Sequence, residues 1–405
     1  MKHKKLLAPS IFMICLLSSF PRLSETIYTP SLPDVARSLH TTNDLAQWTL
    51  SIYFMGFALG TALWGTLSDK IGRRKAMLAG LFIYLLGTIA CTHAPNINWL
   101  LVSRMIQAFG ASVGSIITQT VIRDIFTGKK RNQIYSVLMM ALAISPAIGP
   151  LIGGFLVQWF SWRANFIFLS LLAVFLFAQC FFNLPETHPS FKKNEPRKKV
   201  RWIKTGIALC KNPYVWACAI FVGVFNGMIF SYFAEGPFIF INILHFTPSQ
   251  YGFLGIFIAL SSFIGSKISH NLNNFYPVKK IMLIGTLVVF ASTIVLLIVS
   301  FFPFINLHHR ALALISIMIP ISGVFLGLTI TLPNILSTAL SEYSDVLGTA
   351  GSIFGMLYYI IVSTVTFFMG VLHNGSIYPM PLYFFGLSVF TLIIYYLLIK
   401  PADLE

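Results

Sequence analysis

Twelve apolar runs, each cut off by a charged or Pro/Gly-containing turn, set the terms on which this chain can fold. They fall at residues 6–28, 45–67, 76–93, 98–122, 132–157, 164–184, 213–238, 249–268, 280–302, 311–335, 346–370 and 377–400. A helix of about 20 residues crosses the roughly 30 Å hydrocarbon core of a bilayer, so each run has about the length of one span. Backbone groups in hydrocarbon must be satisfied within the segment, which makes a run of this length a helix. The composition agrees, with 56% hydrophobic and only 10% charged residues in 405, where a soluble domain carries about 25% charged. The chain is therefore predicted to be an all-α membrane protein of twelve transmembrane helices with almost no domain outside the bilayer. Lys2-His3-Lys4-Lys5 followed by apolar residues imitates a signal peptide, but no A-x-A-like cleavage site follows, so the segment is read as a retained first span.

The net charge of +16 would suggest a nucleic-acid partner in a soluble protein. Its distribution says otherwise. Antiparallel spans sort the loops into two sets, and 23 of the 28 Lys and Arg fall in one set, including Lys70, Arg73, Arg74, Lys75, Arg123 and the basic stretch at 192–211. The other set holds Arg37, Arg163 and Arg310, and two basic residues, Arg22 and Arg104, lie inside spans. The positive-inside rule then puts both termini in the cytoplasm, with the bilayer as the partner and no nucleic acid.

Residues 185–212 form the longest hydrophilic stretch, with three prolines and eight basic residues near the middle of the chain. It reads as a linker between a six-helix half at 1–184 and another at 213–405. The halves repeat: KAMLAG at 75–80 recurs as KIMLIG at 280–285, and Gly60 matches Gly265 at the same offset. Repeats half a chain apart are how many secondary transporters are built, and they predict two pseudo-symmetric halves.

Two signatures of catalysis are missing: there is no GxxxxGK[ST] or HExxH string. The five cysteines form no CxxC pair, and His308-His309-Arg310 lacks a third ligand at metal spacing. No enzyme, metal or cofactor is expected.

The most specific string is GTLSDKIGRRK at 65–75. Asp69 sits at the partially negative end of the second span, where a carboxylate is unfavourable unless it meets Arg73 one turn on or the positive end of another helix. Gly65 suits a close approach and Gly72 a turn. The string resembles the GxLxDxxGRRK loop of the major facilitator superfamily, and the resemblance implies that Gly65, Asp69, Gly72, Arg73 and Arg74 latch the two halves on the cytoplasmic side. Arg104-Met-Ile-Gln107 with Gly110, the VIRDIF string at 121–126, Ser145-Pro146 with Gly149, Pro150, Gly153 and Gly154, Trp162-Arg163 with Phe166, and LPET at 184–187 resemble the drug:proton antiporters and their bicyclomycin-resistance (Bcr/CflA) group. So do Tyr232 to Phe238, Pro333-Asn334, and Gly348 with Gly351 and Ser352.

Glycines four apart, Gly56/Gly60, Gly149/Gly153 and Gly351/Gly355, are expected to let helices pack closely. Pro146 and Pro150 each remove a helix hydrogen bond and are expected to bend the fifth span.

An ionisable side chain at the bilayer centre costs at least about 2.5–3.5 kcal/mol on insertion scales, so those inside spans are the sharpest candidates: Arg22, Glu25, Arg104 and Glu235. Arg22, Glu25 and Tyr28 share one face of the first span. Superfamily members line their central cavity with spans 1, 4, 7 and 10, which would bring Glu25 toward Arg104; a static Glu25–Arg22 pair is the alternative. Group members resemble T-D-x-Y-L-P-x-L-P, whereas this chain has Glu25-Thr26-Ile-Tyr28-Thr-Pro30, with Thr26 where the aspartate is usual. Either Glu25 substitutes, or coupling lies at Glu235, or the chain is not a proton antiporter. For Glu235 the bland reading is exposure at the outer membrane surface. Tyr28, Tyr53, Asn226, Tyr232 and Asn334 are candidate cavity contacts, with core packing the competing reading for each.

The resemblance implies a monomeric proton-coupled antiporter of a bacterial inner membrane that exports a small organic molecule by alternating access. The alternative is a transporter of a dedicated metabolite or siderophore, including uptake.

Overall fold

The computed structural model describes residues 10–188, 202–301 and 310–401. The basic residues at 2–5 and 192–201, with His308 and His309, lie outside these. The described residues are helical almost throughout: α1 Ile11–Thr26, α2 Leu32–Ser38, α3 Asn43–Ile71, α4 Arg73–Thr92, α5 Ile97–Ile125, α6 Gly128–Trp159 and α7 Trp162–Asn183. There follow α8 Trp202–Lys211, α9 Pro213–Pro237, α10 Pro248–Leu272, α11 Val278–Phe301, α12 Arg310–Thr338, α13 Leu347–Leu372 and α14 Pro379–Ile394. Ten of them, α3, α4, α5, α7 and α9 to α14, are long and apolar enough to cross a membrane.

Local chemistry sets the helix ends. Asn96 caps α5 through the Trp99 amide at 2.9 Å, and Asn212 caps α9, with Pro213 in the first turn where its missing N–H costs nothing. Thr247 and Gln250 make a reciprocal capping box at the start of α10. Gly72 alone separates α3 from α4 at φ +97°, and a Cβ there would strike the Glu186 carboxylate, so the turn requires glycine on both counts.

The surface is inverted relative to a soluble protein. Phe12, Leu171, Phe182, Phe263, Ile319 and Leu397 are exposed, while Glu25, Gln47, Arg104, Gln107 and Glu235 have no accessible surface. A bundle with apolar residues outward and ionisable groups inward is built for lipid.

Helix pairings occur twice. In the first part of the chain α5 packs on α3 and α4, α4 on α7, and α1 on α6; in the second, α12 packs on α10 and α11, α11 on α14, and α9 on α13. Between the two sets, α3 packs on α13 and α6 on α10. The sequence repeat is visible at atomic scale. A Cβ on Gly60 would meet the Ser112 hydroxyl and the Phe109 carbonyl of α5, and one on Gly265 would meet the Thr329 hydroxyl and the Leu326 carbonyl of α12. Gly80 and Gly285 likewise abut Val113 and Thr331 of the same two helices.

Gly149 and Gly153 of α6 face Thr26 and Ile27 at the end of α1, and Gly154 faces the Pro248 carbonyl of α10. The Pro150 carbonyl reciprocates against Gly252. The side chain of Pro146 lies outside the described ones. Gly351 and Gly355 differ from expectation: nothing comes within 4 Å of a Cβ on Gly351, and Gly355 has only ordinary contacts at 3.9 Å. Their stretch of α13 is held against α3 instead by Gly65, which admits the Ser352 hydroxyl.

Candidate substrate and proton site

The centre of the first helix set holds a cation in an aromatic cage. Arg104 is fully buried on α5, its guanidinium 4.3 Å from the ring centroid of Tyr53, 4.9 Å from Tyr28 and 5.8 Å from Phe166. The faces of these rings are electron-rich and stabilise a desolvated guanidinium. Gln107, one turn on, accepts from Arg104 Nη1 at 2.6 Å and donates to Thr88 Oγ1 at 3.0 Å, tying the cage to α4. The Thr49 hydroxyl donates to Tyr28 Oη at 3.3 Å. Phe166 lies 5.2 Å from Tyr28, and Arg163 of the same WRxxF string donates to the Ala94 carbonyl at 3.1 Å, so that string orders one wall.

Glu25 stands at the end of α1 beside this cage. Its Oε2 is 3.4 Å from Arg22 Nη1, a single long contact one turn back. Its Oε1 is buried with no hydrogen-bond partner, as are Nε and Nη2 of Arg104. The structure thus forms the Glu25–Arg22 pair and leaves both Glu25 and Arg104 with unanswered hydrogen-bonding capacity. Arg22 keeps 35% of its side-chain surface accessible against 0% for Glu25, so it stands between the carboxylate and accessible space.

Glu235 is in a different condition. The exposed position that the sequence allowed for it is overturned: it has no accessible surface. Gln47 of α3 donates to its Oε2 at 2.6 Å, and His373 Nδ1, just past α13, lies 2.9 Å from both carboxylate oxygens. His373 Nε2 is 3.3 Å from Asn43 Nδ2. Sequence reasoning missed Asn43, Gln47 and His373. Gln47 was detectable as a polar residue in an apolar run, whereas His373 looks like any loop histidine until the fold brings it to a residue 138 positions away.

The remaining cavity candidates divide. Tyr28 and Tyr53 belong to the Arg104 cage. Tyr232 is buried with its hydroxyl 3.8 Å from Met318 Sδ, and Asn226 is half-buried and bonded to the Val222 carbonyl one turn back. Asn334 donates to Ser269 Oγ and to the Ile330 carbonyl, both at 2.8 Å, which joins α12 to α10.

At the opposite end, Arg73 donates to Asp69 at 2.5 Å, to Ser68 Oγ at 2.6 Å and to Asp124 at 3.3 Å. Glu186 accepts from the backbone amides of Arg73 at 2.9 Å and Arg74 at 3.2 Å, placing a carboxylate on the positive end of α4. Arg74 also donates to the Phe181 carbonyl. These contacts bind the ends of α3, α4, α5 and α7 to one another. Asp124 and Glu186 belong to quoted motifs, yet their partnership with Arg73 was not legible from spacing.

A lipid-facing helical bundle with repeated pairings and the buried ionisable groups Glu25, Arg104 and Glu235 in its interior has the build of a membrane transporter. The Major Facilitator Superfamily model matches residues 14–366, and the chain belongs to that family; it is a transporter and not an enzyme. An uncharacterized transporter from Rickettsia felis is 34% identical over 390 residues, 96% of this chain and 95% of the relative. A bicyclomycin resistance protein homolog from Haemophilus influenzae is 26% identical over 244 residues, 60% of this chain and 61% of that protein. In fold, the chain matches the crystal structure of a D-xylose–proton symporter with a TM-score of 0.78 at 12% identity, over 96% of this chain and 97% of that one.

Proposed function

We propose that this protein is a twelve-span, proton-coupled antiporter of a bacterial inner membrane, with both termini in the cytoplasm, exporting a small organic molecule as a monomer. The observation that carries the reading is the buried Glu25 oxygen without a partner beside an Arg104 with two N–H-bearing nitrogens without partners. A carboxylate so placed is stabilised by taking a proton or by a cation moving closer, and either event changes the charge of the site between α1 and α5. Twelve spans require α1 and α6 in addition to the ten helices above. The proposed halves, 1–184 and 213–405 joined by 185–212, rock about the α3/α13 and α6/α10 contacts, and the Gly65 to Arg74 segment holds one conformational state. One proton crossing about 150 mV, at roughly 2.3 kcal/mol per 100 mV, supplies near 3.5 kcal/mol, enough to sustain a gradient of a few hundredfold.

The test uses everted membrane vesicles with an imposed proton gradient. Addition of bicyclomycin, the compound in the name of the Haemophilus influenzae relative, is expected to release protons and accumulate the compound. Release by a hydroxamate siderophore and not by bicyclomycin would favour the dedicated-metabolite alternative; proton uptake in step with the solute would indicate symport. Asp69→Asn is expected to abolish transport at equal expression, and reporters fused after Glu405 and within 185–211 are expected to read cytoplasm.

A further inference from the structure

Glu235 and the three residues around it sit where the two helix sets meet at one end of the bundle: Asn43 and Gln47 on one face of α3, Glu235 near the end of α9, and His373 capping α13. A π-helical turn, Phe238–Ile243, begins after Gly236 and Pro237. In the orientation proposed above, on which this inference rests, that end faces outward. Among the described residues, the ring and the carboxylate bond only to each other, to Asn43 and to Gln47.

The hydrogen-bond inventory leaves the ring two states. With His373 neutral and its proton on Nδ1, the ring donates to Glu235 and Nε2 accepts from the Asn43 amide, the arrangement drawn by the 3.3 Å Nδ2–Nε2 contact. With a second proton on Nε2, the ring becomes a cation beside the carboxylate, and Asn43 turns its amide over to accept through Oδ1. In both states the ring nitrogens and the carboxylate oxygens keep their partners, while Gln47 Oε1 has none, so the site holds one proton more or less without unfolding the contact. The ends of α13 and α3 favour the charged pair, the imidazolium standing at the negative end of one and the carboxylate near the positive end of the other, while the C-terminal end of α9 opposes the carboxylate. Asn43 is half-buried, and it marks the side from which the ring is reached.

We propose that Asn43, Gln47, Glu235 and His373 form a proton-switched outer gate, in which the pathway closes outward as His373 Nε2 takes a proton from the external solution and pairs with ionised Glu235. Opening separates the two helix sets at this end, returns that proton outside and leaves Glu235 to water. External acid therefore favours closure. This proton is distinct from the one carried at Glu25, since it enters and leaves on the same side.

Other ionisable groups approach from each neighbouring element. They are Asp44 on α3, Asp34 and Arg37 on α2, which pair with each other at 3.5 Å, and His40 after α2. Tyr232 on α9 is bonded to Met318, Tyr251 on α10 lies beside Gly236, His245 follows the π-helical turn, and Tyr378 precedes α14 and is exposed. His40 and His245 carry imidazoles as well, so single-residue variants are needed to assign the response to His373.

The test is electron paramagnetic resonance on the full chain in nanodiscs, without added substrate, with spin labels at Ser38→Cys and Asn374→Cys, both exposed, in a background lacking the exposed Cys210. One linked proton changes the open-to-closed ratio by at most tenfold per pH unit. The expected result is a fall of about tenfold in the long-distance population from pH 8 to pH 6, with His373→Gln and Glu235→Gln flattening the response. A pH-independent distribution in the otherwise unmutated protein overturns the gate, whether or not the variants fold; so does a response that survives His373→Gln. Glu25→Gln is expected to keep the response while losing proton-driven transport. A response without proton-driven transport in the intact chain sinks the antiport reading and leaves the gate standing; the reverse sinks the gate alone.

Discussion

Glu25 and Glu235 are equally inaccessible, but the helices around them treat the two carboxyl groups in different ways. Glu25 has one 3.4 Å contact with Arg22, an oxygen with no partner, and a caged arginine nearby with two nitrogens in the same condition. Glu235 has a partner for each oxygen, drawn from two helices across the meeting of the helix sets. A buried polar group left unsatisfied costs about 1–3 kcal/mol, and more if charged. A carboxylate that sustains this cost has a second arrangement within reach, whereas one with both oxygens bonded, as in Glu235, holds its present arrangement until something removes a partner, although Gln47 Oε1 beside it is itself unpartnered. The comparison supports the proposal in which Glu25 carries the transported proton and Glu235 holds one closed state.

The largest effect is expected from Arg104→Ala. It leaves three aromatic rings facing a cavity and the Gln107 carbonyl without its arginine, which should cost about 3 kcal/mol or more in stability. Transport should be lost as well, read as a lower unfolding temperature and an absence of accumulation at matched protein level. A stable, active Arg104→Ala would mean that the cage is packing alone.

Glu25→Gln preserves shape and removes the exchangeable proton. Its stability should stay within about 1 kcal/mol, since the side chain has little hydrogen bonding to lose. Accumulation ratios, by contrast, should fall from a few hundredfold toward one, the share attributable to about 3.5 kcal/mol of proton drive. The part of the pH dependence that comes from proton coupling should vanish with them, leaving the response of the outer gate. Glu235→Gln should retain uphill transport within several-fold and lose up to about 2 kcal/mol of stability with the charged interaction to His373. Uphill, proton-dependent efflux by Glu25→Gln together with failure of Glu235→Gln would exchange the two roles.

The two sites were not equally readable in the chain. Span positions followed from apolar length, and the helices begin and end within a few residues of the apolar runs because caps such as Asn96, Asn212 and Thr247 lie at the boundaries. The Arg104 cage was readable in large part, since Arg104 and Gln107 are a turn apart on one helix and Tyr28 shares a face with Glu25. The Glu235 network was not, because its members come from residues 43, 47, 235 and 373 and nothing local marks their convergence. Spacing also misjudged Gly351 and Gly355: a pair of glycines four apart permits close approach, but which helix fills the space depends on tertiary packing.

The smallest effects compare two tyrosines of the same cage. Tyr53 Oη is buried without a hydrogen-bond partner, whereas Tyr28 Oη accepts from Thr49 at 3.3 Å. Removing an unsatisfied buried hydroxyl is close to neutral, so Tyr53→Phe should change stability by less than about 0.5 kcal/mol, while Tyr28→Phe should cost about 1 kcal/mol by removing the buried Tyr28–Thr49 contact, Thr49 keeping its bond to the Ala46 carbonyl at 2.6 Å. Neither change removes a ring from the guanidinium, so the cation–π contribution remains. The informative quantity is transport. If Tyr53 only packs, Tyr53→Phe leaves the rate of proton-driven accumulation within twofold; a tenfold slowing without loss of stability would place its hydroxyl on the route between Glu25 and accessible space. That result would sharpen the contrast with Glu235, whose partners hold a contact closed, by showing that an unpartnered group near Glu25 takes part in transfer.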